Sequence, residues 1–171
     1  MKKGKHYLLV ILLITIAFKG YSQVEKKTLL LGGYANIQYL SASENLYLNL
    51  NPNTGFFLSD KFCLGISLPV QYVSEQIYWG ISPFARYYLK SKEPRSLYFS
   101  SAIGITGLFD FDNTFNSKAL TLGVGHVWFL NKSVGFEAKF IGGTSNFHDD
   151  VDFGLFFGLQ IYFNKGTGSK E

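Results

Sequence analysis

The sequence lacks several things a familiar fold would need. It holds a single cysteine, Cys63, so no intramolecular disulfide framework can form even in an oxidising compartment. Beyond residue 22 there is no apolar run long enough to cross a bilayer as a helix. Apolar residues at helical spacing are missing too, which argues against a bundle. The apparent basicity, a formal +4, is confined to the start: residues 1–22 hold four lysines and no acid, leaving 12 basic against 12 acidic side chains. Without a basic surface, nucleic-acid binding has no electrostatic support.

What the first 22 residues do contain is an export signal. Lys2, Lys3 and Lys5 precede an apolar stretch from Leu8 to Phe18, and Gly20 and Ser22 put small residues at the −3 and −1 positions of a cleavage site before Gln23. The apolar stretch is short for a membrane-spanning helix, and Lys19 ends it. With Gln23 rather than cysteine next, lipid anchoring is not expected. The domain reading is therefore a signal peptide over 1–22, one domain over 23–163 and a short polar tail over 164–171.

The mature chain alternates with period two. Leu46, Leu48, Leu50, Phe56 and Leu58 share one face with Pro52 and Thr54, against Tyr47, Asn49, Asn51, Asn53, Gly55 and Phe57. The pattern returns at 62–73 and again at the end, where Phe153, Leu155, Phe157, Leu159, Ile161 and Phe163 oppose Asp152, Gly154, Phe156, Gly158, Gln160 and Tyr162. Eight strands are predicted, at 28–41, 46–58, 62–74, 77–89, 96–109, 117–130, 133–143 and 151–163. Each is long enough to cross a hydrocarbon core when tilted, which takes about 9–11 residues. An echo, Phe56-Phe57-Leu58-Ser59-Asp60 and Trp128-Phe129-Leu130-Asn131-Lys132, marks two similar hairpin turns.

Charge placement says which side of each strand meets lipid. Of 24 charged residues beyond the signal, only Arg86, Glu137 and Lys139 fall well inside strands, all opposite the large apolar residues; Asp152 shares that face at a strand margin. A soluble barrel would invert this, with charge outside. An apolar outer face without mid-strand charge suits lipid, where such a charge costs about 2–4 kcal/mol. A closed barrel also leaves no backbone edge unpaired. Phe56, Phe62, Tyr87, Trp128 and Phe163 would form one aromatic rim, and Tyr39, Tyr72, Trp79 and Phe153 the other. The predicted fold class is all-β: an eight-stranded antiparallel up-and-down transmembrane β-barrel.

The chain resembles the small outer-membrane β-barrel proteins typified by OmpX and the OmpA membrane domain. It looks most like the outer membrane protein β-barrel domain family of Bacteroidetes. The resemblance rests on Gly20-Tyr21-Ser22-Gln23, Gly55-Phe56-Phe57-Leu58-Ser59-Asp60, Ile81-Ser82-Pro83-Phe84-Ala85-Arg86-Tyr87-Tyr88 and Leu159-Gln160-Ile161-Tyr162-Phe163. It implies a place in the cell outer membrane of a Gram-negative envelope. The partners it implies are outer-membrane lipid, lipopolysaccharide and the barrel assembly machinery, with Phe163 as the assembly signal. The tail 164–171 departs from barrels that end at the terminal aromatic.

Arg86, Glu137, Lys139 and Asp152 are the candidate site, a lumen charge network. In a barrel this narrow, side chains fill the interior, so the network reads as an ion-paired plug, with Tyr47, Phe57, Tyr78, Phe84, Tyr88, Phe129, Phe156 and Tyr162 packed around it. Ser145 with His148-Asp149-Asp150, in the last loop, carries residue types of a hydrolase or metal site. No catalytic residue, metal or cofactor is assigned. His126 faces lipid near a rim. The outer loops, with Glu44, Glu75, Asp110, Asp112, Asp149 and Asp150, form an acidic rim able to recruit cations that bridge lipopolysaccharide phosphates. The expected function is structural, adhesive or envelope-integrity; the alternatives are a lipid-A-modifying enzyme or a narrow channel.

Overall fold

The computed structural model describes residues 24–40, 45–73, 76–90, 93–108, 117–145 and 148–164; side chains are not described at 37–40, 45–47, 73, 106–108, 117–118, 145 and 148–152. Among the described residues, nine strand segments run β1 (Leu29–Leu40), β2 (Asn45–Phe57), β3 (Phe62–Ser67), β4 (Val70–Val73), β5 (Gln76–Tyr88), β6 (Arg95–Leu108), β7 (Ser117–Phe129), β8 (Val134–Ser145) and β9 (His148–Phe163). Each pairs antiparallel with its neighbour, and β9 returns to β1 to close the sheet.

β3 and β4 are one strand interrupted at Pro69, so the barrel has eight staves. Pro69 has no N–H to give to the ladder. Leu68 N still donates to the Pro52 carbonyl and Gly80 N to that of Pro69, both at 2.9 Å. Register against β2 and β5 therefore continues unchanged across the break. The predicted strands agree with these to within a residue or two except in the last hairpin. There β8 runs to Ser145 and β9 starts at His148, so the backbones of Thr144, Ser145 and His148-Asp149-Asp150 belong to strands rather than to a loop.

The echoed hairpins fold alike, for a local reason. Leu58 N and Leu130 N donate to the carbonyls of Phe62 and Val134 at 2.9 and 2.8 Å. In each turn a short polar side chain then satisfies the backbone. Ser59 Oγ accepts from Phe62 N at 3.1 Å, and Asn131 Oδ1 accepts from Ser133 N and Val134 N at 2.8 Å. These turns share one end of the barrel with residues 24–28 and 164, called here the terminal end.

Residues 24–28 tuck under that end as a strap. Lys27, at φ 75°, turns the chain. Lys27 N donates to the Phe57 carbonyl at 2.8 Å, Phe57 N to that of Thr28 at 2.9 Å, and Lys26 N to Asp60 Oδ1 at 2.9 Å. The Thr28 hydroxyl donates to the carboxamide oxygen of Asn164. Val24 and Thr28 are buried by this arrangement and plug the mouth of the lumen. Residues 1–22 and 165–171, to which the signal and most of the tail were assigned, lie outside the described residues.

The two faces divide as the alternation requires. Leu50, Leu64, Ile66, Ile103, Leu122, Phe140 and Phe157 lie on the outside, all exposed, with Leu122 at 62%. Such an apolar girdle is far larger than a soluble monomer tolerates. Inside are Leu30, Phe57, Phe84, Tyr88, Tyr98, Val127, Phe129 and Tyr162, all buried.

Candidate functional site

The lumen's centre is a carboxylate ringed by phenols. Glu137, on β8, is fully buried. It accepts hydrogen bonds from the hydroxyls of Tyr162 at 2.7 Å, Tyr98 at 3.0 Å and Tyr34, whose hydroxyl also lies 3.0 Å from that of Tyr98. β9, β6 and β1 supply these three tyrosines, so the carboxylate ties together staves that are distant in sequence. Gly125, on β7, makes the close packing possible: a Cβ there would stand 2.2 Å from Tyr98 Cζ.

Arg86, on β5, is 2% exposed and lies beside this ring. Its Nη1 reaches Glu137 Oε2 at 3.5 Å and Tyr88 Oη at 3.5 Å, and its Nη2 reaches Asn53 Oδ1 at 3.5 Å. The guanidinium also lies 4.5 Å from the Phe84 ring centroid, 5.4 Å from that of Tyr98 and 5.6 Å from that of Tyr34. Contacts of that kind suit arginine, whose weakly hydrated plane lies against rings at low desolvation cost. The pair is thus joined by one long ion contact, and each partner draws most of its solvation from neutral neighbours.

Lys139 stands apart from the pair. It points inward from β8, one inward position beyond Glu137, and its Nζ lies 5.5 Å from the Tyr34 ring centroid. Among the described residues it makes no ion pair. Asp152, the fourth residue of the predicted network, sits opposite Gly143 in the β8–β9 ladder, and its side chain is outside those described.

Of the predicted lumen aromatics, Phe57, Phe84, Tyr88, Phe129 and Tyr162 are buried, Tyr78 and Phe156 are half-buried, and Tyr47 is not described at side-chain level. Sequence reasoning missed Tyr34 and Tyr98, which hold the carboxylate. Their positions were marked: Tyr98 lies between outward Leu97 and Phe99, and Tyr34 keeps parity with Leu30. Gln160 and Asn53, placed by alternation on the face opposite the apolar residues but not in the network, are buried. His126 faces outward, stacked on Trp128 with ring centroids 4.2 Å apart, near the aromatic rim. No group of three metal-ligating side chains occurs among the described residues.

From the terminal end upward the lumen is filled. Val24, Leu30, Phe57 and Phe129 pack toward the mouth, and beyond them lies the layer of Glu137, Arg86, Tyr34, Tyr98 and Tyr162, with Phe84 against the guanidinium. Further on, Asn36, Asn49, Ser82, Gly143 and Gly154 are only partly covered. Among the described residues the interior is therefore closed toward the terminal end and less tightly filled beyond that layer.

No protein-family model and no curated protein matches the chain. Solved structures do. The N-terminal β-barrel domain of Pseudomonas aeruginosa OprF superposes with a TM-score of 0.62 at 14% identity, over 81% of this chain and 98% of that domain. The outer membrane protein OprG from Pseudomonas aeruginosa superposes with a TM-score of 0.55 at 13% identity, over 84% of this chain and 98% of its own.

Proposed function

We propose that this chain, whose fold is that of the small outer-membrane β-barrels, is an outer-membrane protein with a plugged lumen and a structural or adhesive part in the envelope, rather than a pore or an enzyme. Its apolar belt is the surface such a barrel turns to lipid. The observation that carries this reading is the buried layer of Glu137, Arg86, Tyr34, Tyr98 and Tyr162 across the middle of the lumen. An ion crossing it would have to break these bonds within a low-dielectric interior, where unpaired charge is costly.

The terminal end, with its short turns, is read as periplasmic, because barrels of this kind keep short turns there and both chain ends with them. The partners of this reading are outer-membrane lipid and lipopolysaccharide around the wall, with cations bridging the acidic rim to lipid phosphates, and the assembly machinery at Phe163. Planar-bilayer recording of the refolded barrel tests the plug. No discrete conductance is expected; steady steps from the wild-type protein would replace the plug with a channel. Unchanged lipopolysaccharide mass profiles are expected on deletion of the gene, and an altered acylation pattern would favour the enzyme.

A further inference from the structure

The barrel wall is not zipped evenly. β1 pairs with β2 along its whole length, to Leu40↔Asn45, and β9 pairs with β8 up to Ser145↔His148. Across the closing seam, β1 and β9 pair only from Leu29↔Phe163 to Ala35↔Phe157. Above that point the facing edges among the described residues, 36–40 on β1 and 152–156 on β9, have no ladder partner in each other. One side-chain bond stands in for the ladder, Asn36 Nδ2 donating to the Leu155 carbonyl at 3.0 Å. Below it the strands are pressed together, so that a Cβ on Gly158 would stand 2.1 Å from the Gly33 carbonyl oxygen. The seam is therefore closed in its terminal half and parted in the other. A parted ladder in a membrane wall calls for an occupant, because hydrocarbon offers the free backbone groups no partner.

Lys139 lies at the place where the seam parts. It pairs with Phe156, the inward residue of β9 just beyond the last seam pair. Its Nζ is 5.5 Å from the ring of Tyr34, which belongs to β1 on the far side of that seam. The ammonium makes no ion pair among the described residues, and Glu137, the buried carboxylate two residues away, is engaged by Arg86 and three tyrosines. Just outside the parting, Ala35 leaves a low place on the outer wall between exposed Leu50 and Phe157, and Phe153 and Leu155 continue the apolar surface upward.

We propose that the parted half of the β1–β9 seam is a lateral binding site for a single-chain carboxylate amphiphile. The head reaches through the wall to Lys139, and the alkyl tail lies outside along Ala35, Leu155 and Phe157. One cation without an ion pair among the described residues matches one carboxylate, and a slot left by one missing ladder suits a single chain. The site rests on the plug reading in one respect only: with the lumen closed toward the terminal end, the head group stops at Lys139.

The test uses the isotopically labelled barrel in phosphatidylcholine nanodiscs, titrated with myristate and followed through the amides of Asn36, Leu155 and Phe156. Saturable shifts confined to the seam are expected. Lys139→Gln should weaken binding about tenfold, the loss of one charge-assisted contact, while Lys139→Arg should hold close to wild type. Acetate, a head without a tail, and myristyl alcohol, a tail without a charge, should each fail to saturate the site. Equal binding by Lys139→Gln, with its fold confirmed by heat-modifiable gel mobility, would overturn the proposal. So would saturation by acetate alone, which would make this a lumen anion site, or complete displacement by phosphatidylglycerol, which would make the occupant a two-chain lipid. Conductance reports separately on the plug: a conducting barrel that binds myristate through Lys139 sinks the plug alone, and a silent barrel that ignores myristate sinks the portal alone.

Discussion

At the scale of single residues, the lumen shows how a narrow barrel keeps charge inside. Glu137 does not rely on Arg86 alone. Three phenolic hydroxyls supply shorter bonds than the guanidinium at 3.5 Å, and hydrogen bonds to a charged acceptor are each worth about 1.5–3 kcal/mol. Tyr162→Phe is accordingly expected to cost about that much, measured by urea unfolding in micelles. Arg86→Leu and Glu137→Leu should each cost about 3–5 kcal/mol, because each strands a buried charge, and the double variant should recover part of the sum. Strictly additive losses would show that the two side chains do not communicate. Lys139→Gln, which leaves no partner behind, should cost little by the same assay. Removing an ammonium that has no ion partner among the described residues strands none of them.

At the scale of strands and turns, the closing seam is the sensitive element. Gly158 sits where β9 meets β1, with the Gly33 carbonyl and the Tyr34 ring against it. Gly158→Ala should therefore push the paired half of the seam apart and cost about 1–3 kcal/mol, the usual penalty of overpacking. A seam that tolerated alanine without loss of heat-modifiable mobility would not be closed as tightly as described. Much of this architecture was legible in the sequence. Alternation in 46–58, 62–73 and 153–163 assigned outward and inward faces that the burial pattern reproduces, since side-chain direction in a strand depends on parity alone. The Ser59 and Asn131 turns were equally local. Three things were not. Pro69 interrupts a strand without shifting its register, which no single-strand pattern distinguishes from a continuous stave. The last hairpin extends through polar residues that read as a loop, because cross-strand pairing there overrides composition. The parted seam depends on how β1 meets β9 across the whole chain, and parity, which places Tyr34 and Tyr98 inward, says nothing of that meeting or of which inward groups converge on Glu137.

At the scale of the whole molecule, the outer belt and the direction of insertion follow from the same asymmetry. Leu122 is 62% exposed in the middle of β7, and Leu122→Arg should lower stability in bilayers by about 2–4 kcal/mol, a penalty specific to a lipid-facing position near the midplane. The two ends of the barrel differ. The terminal end carries three short turns, the strap of residues 24–28 and the close of β9 at Phe163, and an even number of staves brings both chain ends to that side. Lys132 is exposed in one of those turns, while Gln76 is exposed where β5 starts at the opposite end. In a Cys63→Ser background, a cysteine at Gln76 should react with a membrane-impermeant maleimide on intact cells. A cysteine at Lys132 should react only after the outer membrane is opened. A soluble periplasmic barrel would protect both positions in intact cells, and a barrel inserted the other way round would reverse them. Labelling of Lys132→Cys but not Gln76→Cys in whole cells would thus leave the fold standing and invert its placement. The end of the barrel beyond Arg86 and Glu137 would then face the periplasm, and the strap at Val24 would face outward.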